Sequence, residues 1–96
     1  MALVRCEVSE GLRESEATVK IATLEGRSEY LPVDRGMLVV EDKADFLAVR
    51  LLYTDNGKNA ALVSLPVEAD SGAHRVWVRL SELKDVRKEQ EHGALI

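Results

Sequence analysis

Few side chains in this sequence are of the types that do chemistry. Cys6 is the only cysteine, and His74 and His92 are the only histidines. Cys6 alternates with Val4 and Val8 on an apolar face. A thiol buried there behaves as a small hydrophobe with a raised pKa, not as a nucleophile. His74 closes the polar stretch "EADSGAH" and His92 lies in a polar tail, so both read as solvated side chains. One cysteine and two distant histidines do not make a zinc site. Glu41, Asp42 and Asp45 form one acidic turn, and Asp55-Asn56-Gly57 forms another. A calcium loop needs more oxygen ligands at a tighter spacing, so both read as turn chemistry. Gly26, Gly36, Gly57 and Gly72 stand alone, without a glycine-rich run leading into a helix to cradle phosphate. No catalytic residue, metal or cofactor is expected, and the chain is not expected to be an enzyme.

The remaining candidates are groups that bind. In "RVWVRL", Val76, Val78 and Leu80 share one face of a strand, and Arg75, Trp77 and Arg79 share the other. If the aliphatic face is core, Trp77 points outward between two arginines, as an interface anchor does. Alternatively, the ring covers a barrel end or packs under a C-terminal helix, with the arginine stems lying on it. In "FLAVRLLY", Leu47, Val49, Leu51 and Tyr53 fall on one face and Phe46, Ala48, Arg50 and Leu52 on the other. That second face is apolar enough to require cover, from the chain's own ends or from a second copy. The candidate binding residues are therefore Trp77, Arg75, Arg79, Arg50, Phe46 and Leu52.

The elements that must position them are short alternating segments divided by turns. Alternation runs through residues 3–8 and then through "ATVKIATL", before the turn Glu25-Gly26-Arg27-Ser28. "EYLPV" follows, with Pro32 marking an edge strand or a strand end because it cannot donate to a ladder. Asp34-Arg35-Gly36 turns the chain into "MLVVE", and "DKAD" turns it again. "FLAVRLLY" and "AALVSLPV" flank Asn56-Gly57, the preferred pair for a tight hairpin, though a longer loop around the same pair serves as well. After "RVWVRL", Ser81 is placed to cap a short helical segment, "SELKDVRKEQ". Only Leu83 and Val86 in that segment are apolar, so it is expected to fray, with Arg87 and Glu91 four apart adding little. These signals predict an all-β fold: a small barrel or open sandwich of five to seven antiparallel strands with a short C-terminal helical segment. Residues 1–83 form the expected single domain and 84–96 a polar tail.

The order of elements resembles the Src homology 3-like small barrels over roughly residues 16–83. The likeness rests on the central hairpin, the late strand "VWVRL" and the single helical turn at "SEL". It implies a barrel architecture only. The peptide-binding members of that group carry a row of aromatics and an "ALYDY"-like opening. This chain has four aromatics, Tyr30, Phe46, Tyr53 and Trp77, and no such opening, so proline-rich peptide recognition is not implied.

Composition narrows the function. The 96 residues are 46% hydrophobic and 31% charged, which excludes a disordered chain and suits one small core. Residues 1–16 hold two basic and four acidic groups, residues 17–80 eight and nine, and residues 81–96 three and four, for a net charge of −4. No segment is basic, so a nucleic-acid partner is disfavoured. The acidic opening "EVSEGLRESE" reads as a solvated loop, with steering of a basic partner the alternative. No apolar run approaches the roughly 20 residues of a membrane helix, so no membrane partner is expected. A single thiol and no secretory signal point to the cytoplasm. The expected function is a small non-enzymatic interaction module that binds a protein partner or itself through the outward Trp/Arg surface. The alternatives are a regulatory domain that binds a small anion between Arg50, Arg75 and Arg79, and a small-barrel nucleic-acid binder.

Overall fold

Strict alternation puts every second residue on one side of a strand, and a one-sided aliphatic pattern makes the sheet curl over that side. The computed structural model describes residues 2–84. Its strands are β1 (Ala2–Glu10), β2 (Glu16–Ala22), β3 (Ser28–Asp34), β4 (Leu38–Glu41), β5 (Ala44–Asp55), β6 (Ala60–Ser64), β7 (Arg75–Arg79) and β8 (Leu83–Lys84). All pairings are antiparallel, in the order β3-β2-β1-β5-β6-β7, with β4 also on β5 and β8 also on β1. The eight strands form one curled sheet, a half-barrel. The concave side holds Val4, Val19, Ile21, Leu31, Leu47, Val63 and Val78, each fully buried. Burial of side chains of this size stabilises by about 1.5–3 kcal/mol each. Pro32 sits on β3, at the sheet's edge, where its missing N–H removes no ladder bond.

β1 and β5 each serve two partners along one edge. β1 pairs with β8 at Leu3–Val4 and with β2 from Glu7 onward. β5 pairs with β4 from Ala44 to Leu47 and with β6 from Arg50 onward. Ala48 and Val49 pair with neither β4 nor β6, and Met37 and Leu65 join them around a notch in the sheet. The open side, between the β3 and β7 edges, is bridged by loops. The Leu24 N–H donates to the Trp77 carbonyl (2.8 Å), the Asp70 N–H to the Tyr30 carbonyl (2.8 Å), and the Ser71 hydroxyl to Glu29 Oε1 (2.6 Å).

One local expectation is corrected, and one choice between two turns is decided. The predicted helical segment beginning at Ser81 is, as far as Lys84, a single 3₁₀ turn over Leu80–Glu82 followed by the eighth strand. Leu80 and Leu83 pack on the core while the backbone of β8 pairs with β1, and a longer helix would give up that ladder. Val86, Arg87, Glu91 and His92 lie outside the described residues. The tight two-residue turn is also elsewhere. It is Asp42-Lys43, between the paired Glu41 and Ala44, with φ of 51° and 65°, the two positive values a type I′ turn requires. Asn56-Gly57 instead opens a 3₁₀ turn, Asn56–Lys58, capped by the Asp55 carboxylate accepting from the Lys58 N–H (3.3 Å). Asn59 carries the positive φ of 52°. The β5–β6 hairpin is present, with the longer loop.

Gly57 needs no left-handed backbone, and a Cβ there would lie an ordinary 3.5 Å from Asp55 Oδ1. Gly57→Ala is therefore expected to change stability by less than about 0.5 kcal/mol, whereas Lys43→Gly should add about 0.5–1 kcal/mol by relieving a positive φ. Urea unfolding decides both. A loss of about 1 kcal/mol or more in Gly57→Ala would mean that the Asn-Gly pair, not Asn59, carries the turn.

Candidate functional site

The convex face of β5, β6 and β7 carries three cross-strand rows. Leu62 pairs with Trp77 on one side and Tyr53 on the other, Ser64 with Arg75 and Arg50, and Ala60 with Arg79 and Asp55. Directly paired residues point to the same side of a sheet. β7 alternates as predicted: Val76 and Val78 are buried, and Arg75, Trp77 and Arg79 are exposed. Trp77 is 38% exposed. Its ring meets Tyr53 edge to face, with centroids 6.0 Å apart and planes at 85°, an arrangement that stabilises by about 0.5–1.5 kcal/mol beyond area burial.

Tyr53 reaches this face only because of a β-bulge. Between Leu51, paired with Val63, and Tyr53, paired with Leu62, Leu52 has no opposite residue. Strict alternation assigns Tyr53 to the face of Leu47, Val49 and Leu51. One extra residue reverses that phase and turns Tyr53 outward, where it is 58% exposed. Leu52 is 41% exposed at the same step. Tyr53, Leu62 and Ser64 are thus members of this surface that alternation alone misses. Leu62 and Ser64 need the β6 register, and Tyr53 needs the bulge.

Four of the six candidate residues, Trp77, Arg75, Arg79 and Arg50, lie in these rows, and Leu52 borders them at the bulge. Phe46 does not belong to the surface. It shares the phase of Ala48 and Arg50 but is only 7% exposed, and it lies seven positions along β5 from Tyr53, about 23 Å at strand rise. Its cover comes from this chain. The return of β8 to β1 brings Lys84 Nζ to 5.2 Å from the Phe46 ring centroid. The same ammonium donates to Glu41 Oε1 (2.8 Å) and Asp42 Oδ2 (3.4 Å), so the acidic turn has a cation of its own. The hydrogen bond to Glu41 raises the Lys84 pKa.

Two clefts flank the aromatic row. One, of about 480 Å³, is the sheet notch, lined by Met37, Ala48, Val49, Leu65 and Pro66 together with Arg50 and Ser64. The other, of about 320 Å³, lies on the far side of Trp77 and is lined by Leu24, Glu25, Asp55, Lys58 and Ala60. Among the described residues, Arg50, Arg75 and Arg79 have no ion-pair partner; the ion pairs present are His74–Glu68 (3.0 Å) and Lys84 with Glu41 and Asp42.

Among the described residues, Cys6 and His74 are not brought together. Cys6 is buried in β1, and burial, aided by the neighbouring Asp45 carboxylate, pushes its thiol up to about 11. His74 pairs with exposed Glu68 and lines neither of the clefts at Cys6. Among the described residues no group of three His, Cys, Asp or Glu side chains is gathered to hold a metal ion. No helix of the described residues is long and apolar enough to cross a membrane. In comparisons with known proteins, no family model, no curated protein and no solved structure matches the chain.

A thiol whose ordinary value is 9.0 and whose folded value is about 11 carries about 100-fold less thiolate at pH 8. Cys6 should therefore react with a disulfide reagent at least about 100-fold more slowly in the folded protein than in urea. Because the folded value is raised, the stability contribution is complete below pH 9 and is lost between pH 9 and 11. Cys6→Ala should flatten that stretch of the stability profile. Equal labelling rates with and without urea would show that the thiol is exposed.

Proposed function

We propose that this protein is a non-enzymatic interaction module whose contact surface is the convex face of β5, β6 and β7, centred on Trp77. The observation that supports the reading most is the Trp77 ring itself, 38% exposed in mid-strand and braced by Tyr53. Large aromatic groups with arginine beside them are the usual anchors of protein interfaces. Leu62 and Leu52 extend the apolar centre, and Arg50, Arg75 and Arg79 supply a rim of donors suited to carboxylates and carbonyls. The 3₁₀ turn at Leu80–Glu82 and the return of β8 to β1 support a Src homology 3-like reading of the half-barrel. The ligand surface is then this module's own, since it is built from Trp77 and arginines. The free, buried thiol of Cys6 suits a reducing compartment, and on that ground we propose a cytoplasmic location.

The test uses a photo-crosslinking residue in place of Leu62, at the centre of the face, in the cell that makes the protein. Defined adducts are expected, and excess unlabelled wild-type protein should compete them away. Trp77→Ala should compete at least about 30-fold less well, the loss expected for an anchor residue. Its thermal midpoint should fall by roughly 4–10 °C from loss of the Tyr53 contact, with the unfolding still cooperative, because the ring lies outside the core cluster. Equal competition by Trp77→Ala would refute the reading.

A further inference from the structure

The face carries a sequence pattern for its partner. The outward residues of β6 are Leu62 and Ser64, two positions apart, so their rows lie about 6.7 Å apart along the strand, and Pro66 is exposed in the bend that follows. The Leu62 row is apolar, with Tyr53 and Trp77 on either side. In the Ser64 row, a small hydroxyl stands between the guanidinium side chains Arg50 and Arg75. Next comes the apolar notch of Met37, Ala48, Leu65 and Pro66. The order is apolar, cationic, apolar; the first interval is the one at which an extended chain presents successive side chains to one side, and the notch adjoins the arginine row because Arg50 and Ser64 also line it.

We infer that the face binds an extended acidic segment, with an Asp or Glu at its centre and a large apolar residue two positions before and two positions after. The apolar residues seat on the Trp77 row and in the notch, and the central carboxylate stands over Ser64 between Arg50 and Arg75. Those strands are two ladder spacings apart, about 9.6 Å, so each arginine spans about half that distance to reach a shared carboxylate. The pattern reads the same in both chain directions, so either polarity fits. The inference rests on the interaction surface proposed above and adds the chemistry of the partner.

Charge selects this occupant over a second copy of the chain. The protein has a net charge of −4, yet Arg50 and Arg75 have no ion pair among the described residues, and no carboxylate lines the notch beside them. Glu68, beside Arg75 in the fold, is paired with His74 (3.0 Å), and Asp55 stands two rows away across Ala60 from Arg79. A two-fold contact with its axis along β6 would set Arg50 against Arg75, and one with its axis across the strands would offer the four basic groups of the two arginine rows only one Asp55 per row, whereas a partner carboxylate over Ser64 neutralises both arginines directly.

The experiment selects ligands for the full-length protein from a displayed library of random nine-residue peptides, then titrates synthetic copies while following Trp77 emission. Recovered sequences should converge on a central acid with large apolar residues two positions to each side. Changing that acid to its amide should weaken binding tenfold or more in the wild type, and less than twofold in a variant carrying Arg50→Ala and Arg75→Ala. Both arginines are exposed, and an unchanged unfolding midpoint confirms that the variant folds. Ligands that need Trp77 but carry no central acid would overturn this inference and leave the interaction surface standing. Ligands that bind Trp77→Ala as well as wild type would overturn both. An empty selection, free acetate or inorganic phosphate displacing the peptides at matched concentration, or dimerisation abolished by Trp77→Ala, would each overturn the acidic-segment assignment.

Discussion

Edge sharing on two long strands is the constraint that shapes this molecule. β1 and β5 each have a partner along one edge and divide the other edge between two more. A chain this short has only one aliphatic face to bury, and a flat sheet would leave that face wet. Splitting the edges forces the sheet to coil, because the two partners of one strand leave it in different directions. The result is a half-barrel around Val4, Val19, Ile21, Leu31, Leu47, Val63 and Val78. The remaining gap, between β3 and β7, is spanned by loop contacts. Where the two partners of β5 part, the ladder has a notch beside Ala48 and Val49.

The same constraint accounts for the convex surface. β5 must change partner from β4 to β6 while its aliphatic side keeps facing the core, and the extra residue, Leu52, falls just inside the β6 pairing. The bulge increases local twist and reverses the phase of the residues beyond it. It takes Tyr53 off the core side and sets it against Trp77, across Leu62. A single inserted position thus links the curvature of the sheet to the aromatic pair that marks the proposed contact face. The arginines beside that pair stay unpaired among the described residues for a related reason: β6, between β5 and β7, presents Leu62 and Ser64 outward and no carboxylate.

Among the described residues, Cys6, His74 and the acids of the β4–β5 turn each have a definite structural setting. Cys6 fills core space with a raised pKa, and His74 pairs with Glu68 at the surface. The acids of the β4–β5 turn hold Lys84 over Phe46, closing one end of the sheet.

Alternation by itself determined the all-β class, the buried phases of β2 and β7 and of β1 from Val4 onward, and the outward direction of Trp77, Arg75 and Arg79. Period-two patterning is local, and each of those segments keeps its phase from end to end. Pro32 announced an edge for the same local reason: it lacks a donor. Tertiary structure decided what depends on a distant partner. The return of β8 to β1 replaced the start of a predicted helix with a strand and buried Phe46, which read as surface from its own neighbours. The Asn-Gly pair lost the tight turn to Asp42-Lys43, because the β4–β5 register left only two residues between strands while the β5–β6 register left four. Tyr53 changed sides because a bulge is set by the twist the whole sheet needs, and no pattern within eight residues carries that information.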